Sequence, residues 1–162
     1  MTVSFRNGFY AGLLLAAIIA LWFWQLWQPA RQVELHSEHL LGAVQSKNWD
    51  AIGGFLDQSY RDQWNEDRPL VLSRLREVFR FARNLHITAG SPTVFASNGE
   101  GDWSARITID ADQNEIAEMI KSRVNHLDTP FELHWQQKSW KPWNWKLIRV
   151  SNSALELPAG EY

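Results

Sequence analysis

Five histidines are spread among the carboxylates of this sequence, and two of them, His36 and His39, stand three residues apart with Glu34 and Glu38 beside them. On a helix that spacing brings both imidazoles to one face, which is half of a metal site. No third ligand stands where it would complete the set, so the pair reads as a solvated helix face and no metal is assigned. A general acid or base needs a carboxylate or imidazole held in a dry cleft. Asp57, Asp62, His126 and Asp128 are of the right type, and their spacing reads mostly as caps and surface positions. The absence of cysteine removes thiolate chemistry, disulfides and cysteine-ligated metals together. Dinucleotide, phosphate-loop, zinc-protease and serine-hydrolase motifs are also missing, and the Gly-containing run at 98–101 reads as a hairpin turn. No catalytic residue and no cofactor is therefore assigned, and the reading leans away from an enzyme.

The densest chemistry lies in KSWKPWNWKL, residues 138–147, with three tryptophans in six residues and Trp135 just upstream. Strand alternation puts Trp135 on the face of Phe131 and Leu133, and Trp145 on the face of Leu147, which makes both core residues. Trp140 and Trp143 fall in or beside a turn with Lys138, Lys141 and Lys146. Either their rings fold back over the sheet edge and under the lysine stems, or Trp140, Lys141 and Trp143 form an exposed edge toward lipid headgroups or a protein partner. A single-stranded nucleic acid would meet the same residue types, but a net charge of -2 supplies no general attraction for phosphates. No nucleic-acid partner is expected.

The elements that position these residues begin with an apolar run. From Gly8 to Trp27 only Gln25 is strongly polar. About twenty residues are enough to cross a hydrocarbon core of ~30 Å at ~1.5 Å per residue. The run closes on Trp22, Trp24 and Trp27, which suit the aromatic belt of a membrane interface and make a poor signal-peptidase site. The expectation is a short tail at 1–7, an uncleaved transmembrane anchor at 8–28 in contact with the lipid bilayer, a folded domain at 29–153 and a tail at 154–162. Arg6 against Arg31 barely decides orientation; the short N-terminal tail favours a cytoplasmic N-terminus, placing the C-terminal domain extracytoplasmic on a bacterial inner membrane.

Beyond Pro29, Val33, Ser37, Leu40, Leu41 and Val44 repeat at helical spacing, and NWDAIGGFLDQSYRDQW predicts a short second helix followed by a turn. Asp67 and Pro69 open a third helix carrying Val71, Leu75, Val78, Phe79 and Ala82. LHITA, TVFAS and WSARITID read as strands, with Asn98-Gly99 as a hairpin signal. Asp112 and Glu115 form a capping-box pattern ahead of a helix to about Asn125, with a strand as the alternative. FELHWQQK and WKLIRV pair back on each other. The fold class is α+β: an N-terminal transmembrane helix, then a cone of about three helices on a curved, mainly antiparallel sheet.

That order of elements, with the closing hairpin FELHWQQKSWKPWNWKLIRVSN, resembles the nuclear transport factor 2-like superfamily over about residues 32–153. The superfamily includes ketosteroid-isomerase-like and SnoaL-like enzymes, small-ligand binders and assembly domains, so the fold does not choose a function. Its isomerase-like members use a tyrosine on an early helix; residues 33–47 contain none, and no catalytic role transfers. The joining of one membrane helix to such a domain is also similar to the inner-membrane assembly component of type IV secretion systems, without a shared local motif. The expectation is a membrane-anchored, non-enzymatic binding or assembly module, with a homodimer or an envelope protein as partner. The alternative is a small-ligand carrier or enzyme with Tyr60, Trp64, His126 and Trp135 lining the cone.

Overall fold

The apolar run forms most of α1, Phe5–Leu26, and no residue from Gly8 to Leu26 is buried by the described residues. Leu13, Leu14, Leu15, Ile18, Leu21, Trp22 and Trp24 are all more than half exposed in the computed structural model, which describes residues 5–80, 82–112 and 115–155. Among the described residues it holds the single helix long and apolar enough to cross a membrane, Gly8–Leu26. Most of the expected 1–7 tail and of the 154–162 tail lies outside the described residues.

Helix α2, Pro29–Gln45, starts four residues before the stripe that begins at Val33. Proline suits the first helical position because the N–H it lacks would have had no partner there. The Gln32 amide donates to the Leu26 carbonyl at 2.8 Å, tying the first turn of α2 to the end of α1. Helix α3, Trp49–Phe55, is capped by the Asn48 side chain, and α4, Arg68–Phe79, by Asp67 accepting from the Leu70 N–H. Each cap satisfies an amide that would otherwise be orphaned at the helix start.

Strands β1 (His86–Ala89), β2 (Thr93–Ser97), β3 (Glu100–Ala105) and β4 (Ile107–Asp110) follow, then α5 (Glu115–Asn125), β5 (Phe131–Gln137) and β6 (Trp145–Ser151). The main sheet runs β2-β3-β5-β6, antiparallel throughout, and β1 pairs with β4 in a separate two-stranded sheet. WSARITID is thus not one strand, because the chain changes partners at Arg106. Asn98 and Gly99 both take positive φ, 54° and 79°, closing β2 onto β3 by the two-residue turn whose twist matches the strands. Segment 115–125 is helical, not extended. The side chain of Glu115, half of the expected capping box, lies outside those described.

Helices α2 and α3 cover the inner sheet face, and α4 packs on α3 with Val71, Leu72 and Leu75 against the same core. Val33, Leu40, Ile52, Leu56, Tyr60, Trp103, Leu133, Trp135, Trp145 and Leu147 form one buried cluster between them. A smaller one, Phe79, Ala82, Leu85 and Ile109, seals the end of α4 against β4. A bulge opposite His134 and Trp135 turns both Ile148 and Arg149 of β6 toward the outer face.

Candidate functional site

The interior of the cone is occupied by tryptophan. Trp103, Trp135 and Trp145 project from the inner faces of β3, β5 and β6, each no more than 2% exposed. The Trp135 indole donates to Ser37 Oγ at 3.0 Å, and that hydroxyl donates to the Val33 carbonyl at 2.9 Å, so the ring is fixed to the helix above it. The rings of His36 and Phe55 meet Trp135 edge-on, at centroid distances of 5.7 and 6.2 Å. Trp145 donates to the Pro142 carbonyl. Trp103 differs, because its buried indole N–H has no partner among the described residues.

The four residues expected around a cone pocket do not gather. Tyr60 and Trp135 share the main core cluster. Trp64 lies half-buried at the surface, where its indole donates to the Leu155 carbonyl at 3.0 Å, and His126 stands exposed past the end of α5 with its ring against the Ser122 carbonyl. Burial, then the charges of Asp62 and Glu66, push the Tyr60 hydroxyl well above its usual value, so it stays protonated at neutral pH.

Two of the acid–base candidates, Asp57 and Asp62, hold turns. Asp57 accepts from the Ser59 N–H and hydroxyl and pairs with Lys138 at 3.0 Å. Burial works against its charge, yet those bonds outweigh it and hold the carboxyl below its ordinary range. Asp62 accepts from the N–H groups of Trp64 and Glu66, pinning the turn before α4; burial raises its pKa all the same. Asp128 is almost fully exposed near Arg106. His39 is exposed, and no group of three or more metal-ligating side chains occurs among the described residues.

A polar array that sequence reasoning assigned no role lies on the outer sheet face. Asp102, His134 and Arg149 stand side by side across β3, β5 and β6. Asp102 Oδ1 lies 2.6 Å from His134 Nδ1, and His134 Nε2 lies 3.3 Å from Ser151 Oγ. Ser151 in turn donates to Glu132 at 3.0 Å. With its one proton directed to Glu132, Ser151 is not set up to hand it to His134, so the likeness to a hydrolytic triad stops at composition. Glu100, Asp102, His134, Trp135, Ile148 and Arg149 line a shallow hollow there. Alternation in FELHWQQK put Glu132 and His134 on the wet face, but Asp102 and Ser151 lie too far off in sequence for the pattern to join them.

The second exposed feature is the β5–β6 loop. Trp140 is 86% exposed and Trp143 55%, with Lys141 between them, while Trp145 two residues on is buried. The Trp143 carbonyl lies 3.1 Å from His36 Nε2 on α2. Burial holds the His36 imidazole below its ordinary 6.5, against the pull of the two carbonyls that face its nitrogens.

No protein-family model and no curated protein matches the sequence. Solved structures do match the fold. A nuclear transport factor 2-like protein of unknown function from Pseudomonas putida superposes with TM-score 0.58 at 9% identity, over 78% of this chain and 86% of its own. A candidate ketosteroid isomerase from Shewanella frigidimarina gives 0.54 at 10%, over 78% and 95%. Bd1075 of Bdellovibrio bacteriovorus gives 0.58 at 12% over 76% of this chain, which spans only 40% of that protein. These likenesses show a nuclear transport factor 2-like fold.

Proposed function

We propose that this chain is a single-pass protein of a bacterial inner membrane whose nuclear transport factor 2-like domain is a non-enzymatic binding or assembly module outside the cytoplasm. One contrast carries the reading. The core of the domain is closed by its own tryptophans, while no residue of the Gly8–Leu26 helix is buried. A nineteen-residue span interrupted by only one strongly polar side chain, Gln25, would carry a heavy cost in water that a bilayer removes. Trp22, Trp24 and Trp27 then sit at the interface.

Binding in this reading uses the outer sheet face, where Asp102, His134, Glu132 and Arg149 offer hydrogen bonds and both signs of charge to a second copy of the chain or to an envelope protein. Alkaline carbonate extraction tests the anchor. Full-length protein stays in the membrane pellet and a chain lacking residues 1–28 is released; a full-length protein that is released defeats the reading.

One observation favours the alternative of a small ligand inside the cone, namely the unpartnered Trp103 N–H. A buried donor left unpaired costs about 1–3 kcal/mol, and a small polar molecule would recover it. Native mass spectrometry of the full chain decides: an adduct lost on Trp103→Phe substitution supports a ligand, and an adduct-free spectrum supports the closed core.

A further inference from the structure

The β5–β6 loop is held rigidly by its own bonds. Lys138 N–H donates to the Asn144 carbonyl at 2.8 Å, Asn144 N–H to the Lys141 carbonyl at 3.1 Å, and the Asn144 amide to Ser139 Oγ at 2.8 Å. The Gln137 amide adds a bond to the Lys141 carbonyl at 3.1 Å. So closed a turn does not need to present rings to water, yet it presents two. A single exposed aromatic calls for no explanation, but two indoles on a fixed turn with a lysine between them do.

The location of the turn narrows what could cover them. His36, which contacts the Trp143 carbonyl, stands seven residues past Pro29, about 10 Å of helix rise. Only Trp27 and Gln28 separate α1 from α2, and the Gln32–Leu26 bond closes that junction. The loop is therefore tied to the same helix that emerges from the anchor, close to the end carrying Trp24 and Trp27. Of its neighbouring lysines, Lys138 is neutralised by Asp57 and Lys146 donates to the Gly54 carbonyl. Lys141 makes no ion pair among the described residues.

We propose that the turn from Trp140 to Trp143 is a second membrane contact, resting on the anionic headgroups of the same bilayer that holds α1. The indoles enter the interface, where an amphipathic ring is better placed than in either water or hydrocarbon. Lys141 meets lipid phosphates, a contact that changes partitioning about fivefold for one lysine. Because the loop is already ordered, docking loses little conformational entropy. Two contacts, anchor and turn, fix the tilt of the domain and choose which part of its sheet face is offered to a partner. This inference rests on the membrane-anchored reading and adds the lipid surface as a partner of the loop.

The chain has no native cysteine, so single spin labels can be placed cleanly. Full-length protein carrying Lys141→Cys, Leu14→Cys or Phe95→Cys is reconstituted in vesicles of phosphatidylcholine with phosphatidylglycerol. Collision with oxygen, which concentrates in lipid, is then compared with collision with a water-soluble nickel chelate. The expected result is lipid-type relaxation at Leu14→Cys, interfacial relaxation at Lys141→Cys and water-type relaxation at Phe95→Cys, an exposed site on β2. Adding Trp140→Ser and Trp143→Ser shifts the Lys141→Cys signal to the water type. If Lys141→Cys matches Phe95→Cys while Leu14→Cys stays in lipid, the loop contact is overturned and the anchor stands. A label at Lys141→Cys shielded from both reagents points to a protein partner and also overturns it. Water-type relaxation at Leu14→Cys overturns the anchor itself.

Discussion

Val33 occupies the space that a side chain at Gly101 would need. A Cβ built on Gly101 meets the Val33 side chain at far less than contact distance and the Trp145 ring at 3.2 Å. Glycine is required there because α2 crosses β3 at this point, and no backbone strain is involved. Gly101→Ala overpacks the crossing and costs about 1–3 kcal/mol. Chemical denaturation of the two proteins side by side reads the difference, and an unchanged midpoint would show that α2 does not sit on β3.

Trp135 tests the closed core from the other side. Trp135→Phe loses the bond to Ser37 and part of the indole's volume but still fills much of the site, at about 1–3 kcal/mol. Trp135→Ala opens a cavity beneath α2 and costs about 3–5 kcal/mol. A small loss for the alanine variant would mean that the space was never tightly filled.

His36 gives the domain a pH dependence of known sign. Its folded-state pKa lies below 6.5, the ordinary value, so the unfolded chain binds the proton more readily. The contribution is complete above pH 6.5 and is lost as pH falls from there through the lower folded value. Asp62 and Glu66, both raised by burial, act in the opposite sense at more acid pH. The comparison of stability against pH is therefore between the parent and His36→Gln, whose curve is flatter just below pH 6.5.

Glu66 is 5% exposed and pairs with Arg74 at 2.7 Å. Arg74→Met leaves that carboxylate without its counter-ion, at a cost of about 2 kcal/mol once the partly exposed arginine is allowed for. The penalty shrinks as pH falls, because Glu66, raised by burial even with the arginine present, takes up a proton instead. A penalty independent of pH would assign the loss to packing of the arginine stem.

Much of this arrangement is legible in the sequence, for identifiable reasons. The Asp67 and Pro69 signals for α4 and the Asn98-Gly99 turn are local, so neighbouring residues determine them. Alternation likewise places Trp135 and Trp145 inside, since a strand has only two faces. The exchange of partners at Arg106 is hidden because Trp103, Ala105, Ile107 and Ile109 keep one inward face straight through it; periodicity records the face and not the neighbour. The Asp102–His134–Ser151 array is hidden for a related reason, its members lying 32 and 17 positions apart. The dispersal of Tyr60, Trp64, His126 and Trp135 depends on how α5 and the 57–67 turn pack, which no local pattern encodes.

Cysteine accessibility in intact cells tests the account most directly. Thr2→Cys and Phe95→Cys are expressed separately in a bacterial host with a permeabilised outer membrane and treated with a maleimide that cannot cross the inner one. A single-pass protein with its domain outside the cytoplasm labels at Phe95→Cys and labels at Thr2→Cys only after lysis. Labelling of Thr2→Cys before lysis, or protection of Phe95→Cys until lysis, would contradict it.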